Sequence, residues 1–473
     1  SMRLRVLISV LCLLPLTAVA QAPSCPAVPE TMRAARVHAA GGPEALRVER
    51  VPTPALRDGE VLVRVHYASI NPVDWKLQEA GRLPLPAVPG GDFAGEVVAV
   101  GTGVRGYACG DRVAGIVDPR ERSGSYAEYV AAPVDAIVPV PAAFTLQEAA
   151  AYPTVSVAAW RYLVQAAQLR AGERVLVHGG AGGVGSMVVQ LAKARGAYVI
   201  ATASARNHDY LRGLGADEVV DYRAVRFEDV VREVDVVVDT VGGDTLERSP
   251  QVLRDGGRLV TLVGQVPEAL CRLGRIACPD TPPWSVQEGL RGVAPLIEAG
   301  RLAMHIDGLY GLDDIVQAQQ HNRAGNTRGK VVVAIAADNV VEASGQDVAA
   351  VRLPLQAYLD GHATGQGRHF RRAFAEDAQL VGYKDGRYRR WPAEAYIAAS
   401  SSGRRPADED QRRRMIRRIT VTGDVATAVI ELNYPDMRAL DHMTLLRYGD
   451  EWRIAVKAYH AWTPTTASAQ TAR

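Results

Sequence analysis

Three glycines at G-x-G-x-x-G spacing, Gly180, Gly182 and Gly185, follow the apolar run Val175-Leu176-Val177 and open a helical pattern from Val184 to Ala194. This spacing does its chemistry through backbone. One glycine permits the tight turn, one lets the main chain approach a pyrophosphate, and one lets helix and strand pack closely. The N–H groups at the start of the helix then face the phosphates. A glycine triplet alone is a common turn; the strand before it and the helix after it make this one a dinucleotide cradle. A second apolar strand, Tyr198 to Ala201, runs into Thr202-Ala203-Ser204-Ala205-Arg206-Asn207, with no acid before Asp209. An Asp or Glu at that point would accept from a ribose 2′-OH, whereas a hydroxyl and a guanidinium suit a 2′-phosphate. Ser204 and Arg206 therefore favour NADP(H) over NAD(H).

The elements that must hold this cradle are legible on both sides of it. From Met32 to Val140 short apolar segments alternate with Gly, Pro and Asp turns, as in Val61 to Val65, Gly95 to Val100 and Asp111 to Val113, which indicates an all-β, barrel-like unit. Leu146 to Ala167 has a helical pattern. Strand-like runs then recur at Glu218 to Tyr222, Asp235 to Asp239 and Arg258 to Val263, and their alternation with helical stretches predicts a doubly wound parallel sheet. Gly329-Lys330-Val331-Val332-Val333 supplies a closing strand, and Ala336 to Gln346 reads as a linker.

A chain of 473 residues, 48% hydrophobic and 22% charged, is expected to form two or three globular domains. Its formal charge of +2 gives no reason to expect a nucleic-acid partner. Residues 1–20 read as a signal peptide: Arg3 and Arg5, an apolar run from Val6 to Val19, then Ala18-Val19-Ala20. Export to the periplasm or beyond, with no membrane attachment after cleavage, is the expectation; an unprocessed leader would leave the protein cytoplasmic. The remaining cysteines, Cys25, Cys109, Cys271 and Cys278, are too scattered to spell a disulfide framework, and whether Cys271 and Cys278 pair stays open.

The stretches Ser69-Ile70-Asn71-Pro72-Val73-Asp74-Trp75-Lys76, Pro89 to Gly95, Gly110-Asp111-Arg112-Val113, Gly124 to Tyr129, the glycine loop and Leu214-Gly215-Ala216-Asp217 together resemble the medium-chain dehydrogenase/reductase superfamily, in its zinc-independent quinone-oxidoreductase branch. The resemblance spans about 32–335. It implies an α/β fold: a GroES-like β-barrel over 32–150, completed by about 295–335, beside a Rossmann domain over 151–294, with the active site in the cleft between them. It also implies that Asn71 and Asp74 lie near nicotinamide and substrate, with Tyr67, Trp75 and Lys76 as weaker candidates. Gly182, Gly183, Val184, Ser204, Arg206 and Tyr222 would contact the pyrophosphate and the 2′-phosphate end. Asp239, Thr240, Val241 and Gly242, with Val263 and Gly264, would border ribose and nicotinamide. Zinc-dependent relatives carry a Cys and a Gly-His-Glu segment where this chain reads Asn71-Pro72-Val73-Asp74 and Gly91-Asp92-Phe93, so no metal is expected. Two departures stand out: Ala158-Ala159-Trp160 replaces a Thr-Ala-Trp segment, leaving Thr154 or Ser156 to supply the hydroxyl, and Leu270 to Gln287 has its own composition.

From Asp347 the texture changes to helices followed by a long antiparallel sheet. With Tyr358-Leu359-Asp360-Gly361-His362, Arg372-Ala373-Phe374 and Trp452 to Lys457, residues 347–463 resemble the lumazine-binding-like families of the nuclear-transport-factor-2-like fold, an α+β cone. That resemblance implies an apolar pocket, with Asp360, His362 and His460 as pocket candidates, and a homodimer. Strict alternation from Arg412 to Arg418 would place Ile416 and Ile419 on opposite strand faces.

The combined expectation is a zinc-independent reductase that passes hydride from NADPH to a small-molecule acceptor, a quinone, enone or related activated carbonyl, with an accessory small-ligand or dimerisation domain. The alternative is an exported, non-catalytic ligand- or nucleotide-binding protein built on a reductase fold.

Overall fold

The computed structural model describes residues 25–272, 275–335, 342–344 and 347–464. The proposed leader lies outside them.

A seven-stranded, largely antiparallel sheet orders its strands as Ile306–Gly311, Lys330–Ala334, Glu60–Ile70, Asp92–Val100, Arg112–Ile116 and Ile137–Pro139, with Tyr129–Pro133 pairing onto Glu60–Ile70. The chain thus returns after more than 200 residues to complete the sheet: Val331 pairs with Ile70 and Ala334 with Tyr67. Val, Ala and Ile from both faces bury a core around Tyr126, Phe93 and Ile70.

Five strands make the parallel sheet, in the order Glu218–Asp221, Tyr198–Ala203, Arg174–His178, Val234–Asp239, Leu253–Thr261. The strands are apolar because helices cover both faces. The helical pattern over 146–167 is broken twice. Pro153 cannot donate into a preceding turn, so Leu146–Ala151 ends at Tyr152 and Pro153–Ala159 starts anew, and Trp160–Ala166 then winds as a π-helix.

The C-terminal unit packs helices Val348–Thr364 and Gly367–Ala373 against a second seven-stranded sheet. This sheet is mixed rather than antiparallel throughout. The helix-linked strand Phe374–Lys384 pairs parallel to Glu451–Trp462, and Glu342–Ser344, inside the expected linker, pairs parallel to Arg413–Thr422. Register shifts between Ile416 and Arg418, so Ile416 and Ile419 are both buried and the expected alternation fails. A bulge adds one residue and flips the faces beyond it.

Cys25 pairs with Cys109, a link the sequence reading did not foresee, and Cys271 pairs with Cys278, which it had left open. A separation of 84 residues gives no local spacing from which the first link could be read. Among the described residues no helix is long and apolar enough to cross a membrane.

Candidate functional site

A groove of about 760 Å³ opens between the first two sheets, in the N-terminal two-thirds of the chain that is called the reductase half below. At its centre the strand Arg174–His178 turns through Gly179, whose φ is +68°, and the helix Gly183–Ala194 begins after Gly182. The left-handed position is therefore Gly179, one residue ahead of the triplet. Gly180 faces the neighbouring strand, where a Cβ would stand 2.9 Å from Ala201 Cβ. Gly185 closes helix on strand: its Cβ would meet the Gly179 carbonyl oxygen at 2.1 Å. Gly182 is open, with only the Gly179 oxygen within 4 Å, so the backbone of Gly182, Gly183 and Val184 is presented to the groove. This is a cradle that side chains would fill, and it fits a pyrophosphate.

Ser204, Arg206 and Tyr222 line the far end. Arg206 donates to the Asn326 carbonyl at 2.5 Å, and Arg223 lies over the Tyr222 ring. Nearby Arg226 and Arg248 are committed to Glu228, at 2.5 and 2.6 Å. Thr240 and Val241 also line the groove; Asp239 lies beneath them, buried, its carboxylate accepting from the Val241 and Gly242 N–H groups and the Thr261 hydroxyl. Val263 and Gly264 are not among the groove-lining residues.

At the other end the groove meets Ile70, Asn71, Pro72 and Lys330. Lys330 opens the returning strand, and its side chain is 3% exposed. It donates to the Ile70 carbonyl at 3.0 Å and to Asn71 Oδ1, and it lies 3.5 Å from Asp92 Oδ2. Asn71 Nδ2 donates to Asp92 Oδ2 at 2.9 Å. Asp92 also accepts from Ser69 at 3.1 Å and from the Thr154 hydroxyl at 2.6 Å. An ammonium has only donors and a carboxylate only acceptors, so the Asn71 amide has one allowed orientation. Its oxygen faces Lys330, one N–H faces Asp92, and the second N–H remains.

Asp74 sits one layer deeper, outside the groove lining. Its Oδ2 accepts from Asn71 N at 2.8 Å and Tyr126 OH at 2.7 Å, and burial pushes its pKa up to about 7. Burial likewise pulls the Lys330 ammonium below its ordinary value. Tyr67 is buried in the core, and Lys76 is exposed beside the Trp75 ring. The structure thus brings together Asn71 and the nucleotide residues, and leaves Tyr67, Asp74 and Lys76 off the groove wall. Thr154 spends its hydroxyl on Asp92; Ser156 is buried with no partner for its own. Sequence reading passed over Lys330 and Gly179; a single Lys inside an otherwise apolar strand was the available signal.

In the C-terminal unit the pocket candidates disperse. His362 lies inside, bonded to Tyr396 OH at 2.9 Å among the rings of Tyr358, Phe370 and Tyr434, and burial holds it neutral. Asp360 faces the reductase half, accepting from Gln147 at 2.6 Å. His460 is exposed.

Residues 57–142 match the family described as "Alcohol dehydrogenase GroES-like domain", 214–333 "Zinc-binding dehydrogenase", and 346–460 "Putative lumazine-binding". A 2-methylene-furan-3-one reductase of Solanum lycopersicum is 36% identical over 65% of this chain and 80% of its own. An NADPH-dependent alkenal/one oxidoreductase of Arabidopsis thaliana is 34% identical over the same shares. Among solved structures, the quinone oxidoreductase of Coxiella burnetii superposes with a TM-score of 0.61 at 34% identity, over 65% of this chain and 100% of that one.

Proposed function

The chain belongs to the medium-chain dehydrogenase/reductase superfamily of oxidoreductases and ends in a nuclear-transport-factor-2-like unit; from that premise we propose that it reduces a quinone, enone or related activated carbonyl with NADPH, without a metal. The observation that carries this reading is the Asn71 amide, locked by Lys330 and Asp92 at the mouth of a nucleotide-shaped groove.

NADPH, when bound, supplies a hydride for the acceptor. The chain's own residues do the rest. The Gly182–Val184 amides take the pyrophosphate, and Ser204, Arg206 and Arg223 take the 2′-phosphate. As hydride reaches the β-carbon of an enone, negative charge gathers on its oxygen. The spare Asn71 N–H is a fixed donor for that oxygen, and the Lys330 charge behind it lowers the cost further. Such a donor contributes about 10²–10³ in rate.

The positions that hold zinc in metal-dependent relatives do not fit a metal here. Asn71 and Asp92 already share a buried ammonium, so no step is routed through one. The substrate class follows the names of the tomato, Arabidopsis and Coxiella relatives.

Export is part of the proposal. The leader of residues 1–20 supports it, and so do the two disulfides, which persist in oxidising compartments. The same disulfides favour a second reading, a binding protein without turnover, because NADPH is scarce outside the cytosol. Titrating the mature protein with NADPH by calorimetry, then following nicotinamide absorbance with quinone and enone panels, separates them. Absence of NADPH binding ends both nucleotide readings; binding without turnover selects the second.

A further inference from the structure

The accessory unit was expected to hold a ligand within its cone, but that interior is packed by Tyr358, His362, Phe370, Phe374 and Tyr396 in ring-to-ring contact. A separate cavity of about 530 Å³ lies instead where the accessory unit meets the reductase half. Helix Val348–Thr364 gives one wall, and the approach to the strand Ile306–Gly311 gives the other. Met304, Leu309, Leu353, Pro354 and Ala357 provide an apolar strip.

Three ion pairs flank this strip. Glu148 pairs with Arg372 at 3.3 Å, Glu451 with Arg453 at 2.5 Å and Asp347 with Arg447 at 3.3 Å. Asp307 accepts from His321 at 3.0 Å, Asp360 accepts from Gln147 and Gln356, and Asp450 stands on an exposed turn. Asp307, Asp360 and Asp450 and two guanidiniums are left outside these pairs. The Arg328 guanidinium lies over the Tyr210 ring and donates to neutral oxygens, Asn207 Oδ1 at 2.9 Å and the Arg206 carbonyl at 3.0 Å, while its backbone N–H donates to Asp307 Oδ2 at 3.3 Å; Arg206 donates to the Asn326 carbonyl. Among the described residues neither guanidinium meets a carboxylate at ion-pair distance. Beside them His305 stacks near Tyr210, held neutral by burial.

We propose that this interdomain cavity binds a small amphiphilic anion, a carboxylate-type head on an apolar body, with the head on Arg328 and the body along the Leu353 strip. A guanidinium fork matches a carboxylate in two bonds, and the strip offers the body a dry surface. The site also communicates. Arg206 lines both this cavity and the dinucleotide groove, and Arg328 holds the Arg206–Asn207 backbone turn. A second anion near Arg206 repels the 2′-phosphate, so each ligand weakens the other by the same factor.

Equilibrium dialysis of labelled decanoate against the full chain, with and without saturating NADPH, tests this. The expected result is one saturable site per chain, weakened several-fold but not abolished by NADPH. Arg328→Gln should lose about tenfold or more in affinity, and Leu353→Trp, which fills the strip from the accessory side, should lose as much; Asn71→Ala should bind decanoate normally. Absence of saturable binding, complete displacement by NADPH, or indifference to both cavity variants overturns the site. Decanoate binding equally strong with and without NADPH overturns the coupling. The cavity itself is tested without NADPH and without an acceptor being reduced, so it and the reductase reading fail separately; the coupling rests on that reading and is scored only once calorimetry shows NADPH bound.

Discussion

Two buried lysines, one in each half, solve the same electrostatic problem with different results. In the reductase half Lys330 meets Asp92 at 3.5 Å; in the accessory unit Lys457 meets Asp441 at 3.1 Å and lies over the rings of Tyr358, Tyr396 and Tyr459. Burial lowers the charged form of both. In the cone Asp441 and Tyr396 outweigh burial, and Lys457 ends above its ordinary value; at the groove burial outweighs Asp92 and Asp74, and Lys330 ends below. The difference lies in what surrounds each network. One is sealed by aromatic rings and specifies a core. The other opens through Asn71 onto a groove, where a held dipole can act on something that enters.

The sharpest way to break this contrast is Lys457→Met. Stranding Asp441, whose Oδ1 already lacks a partner, should cost the accessory unit about 3–5 kcal/mol in denaturant unfolding, with turnover per folded molecule unchanged. A parallel fall in kcat would place the cone interior in the chemistry. Next comes Asn71→Ala: kcat per folded molecule should fall about 10²–10³-fold, or 2.7–4 kcal/mol, with a stability loss of about 1–3 kcal/mol because Lys330 and Asp92 each lose a buried partner. If only stability suffers, the groove network is as structural as its counterpart. Arg206→Glu should raise the Kd for NADPH about 10–100-fold, roughly 1.4–2.8 kcal/mol, and leave NADH binding little changed in calorimetry.

A gentler test uses pH. Asp74 and Asp360, one in each half, both have pKa values raised by burial from the ordinary 3.8 to about 7. The unfolded chain ionises first, so stability is full below about pH 4 and declines as pH rises toward 7, by up to about 1.4 kcal/mol per pH unit for each group. Asp74→Asn and Asp360→Asn should each flatten that slope in urea titrations across the range. The smallest effect belongs to His460→Ala, expected within about 0.5 kcal/mol because the ring is exposed.

Where signals were local, the sequence was readable. The glycine spacing and the Val-rich strands announce themselves over a few residues, and Ser204 and Arg206 line the groove. What escaped depends on neighbours distant in the chain. Lys330 gains its meaning from Asn71, 259 residues away, and Cys109 from Cys25, 84 residues away. The bulge near Arg417 escaped because inserting one residue in a strand leaves no mark in residue type. The interdomain cavity is a property of docking, which neither half encodes alone.

The late return of Lys330–Ala334 to the edge of Glu60–Ile70 sets an order of events during synthesis. While the ribosome is still making the parallel sheet, Asn71 and Asp92 have already emerged and wait without their cation. The acceptor end can set only after residue 330 clears the exit tunnel, which makes the last stretch of the reductase half a checkpoint for the first.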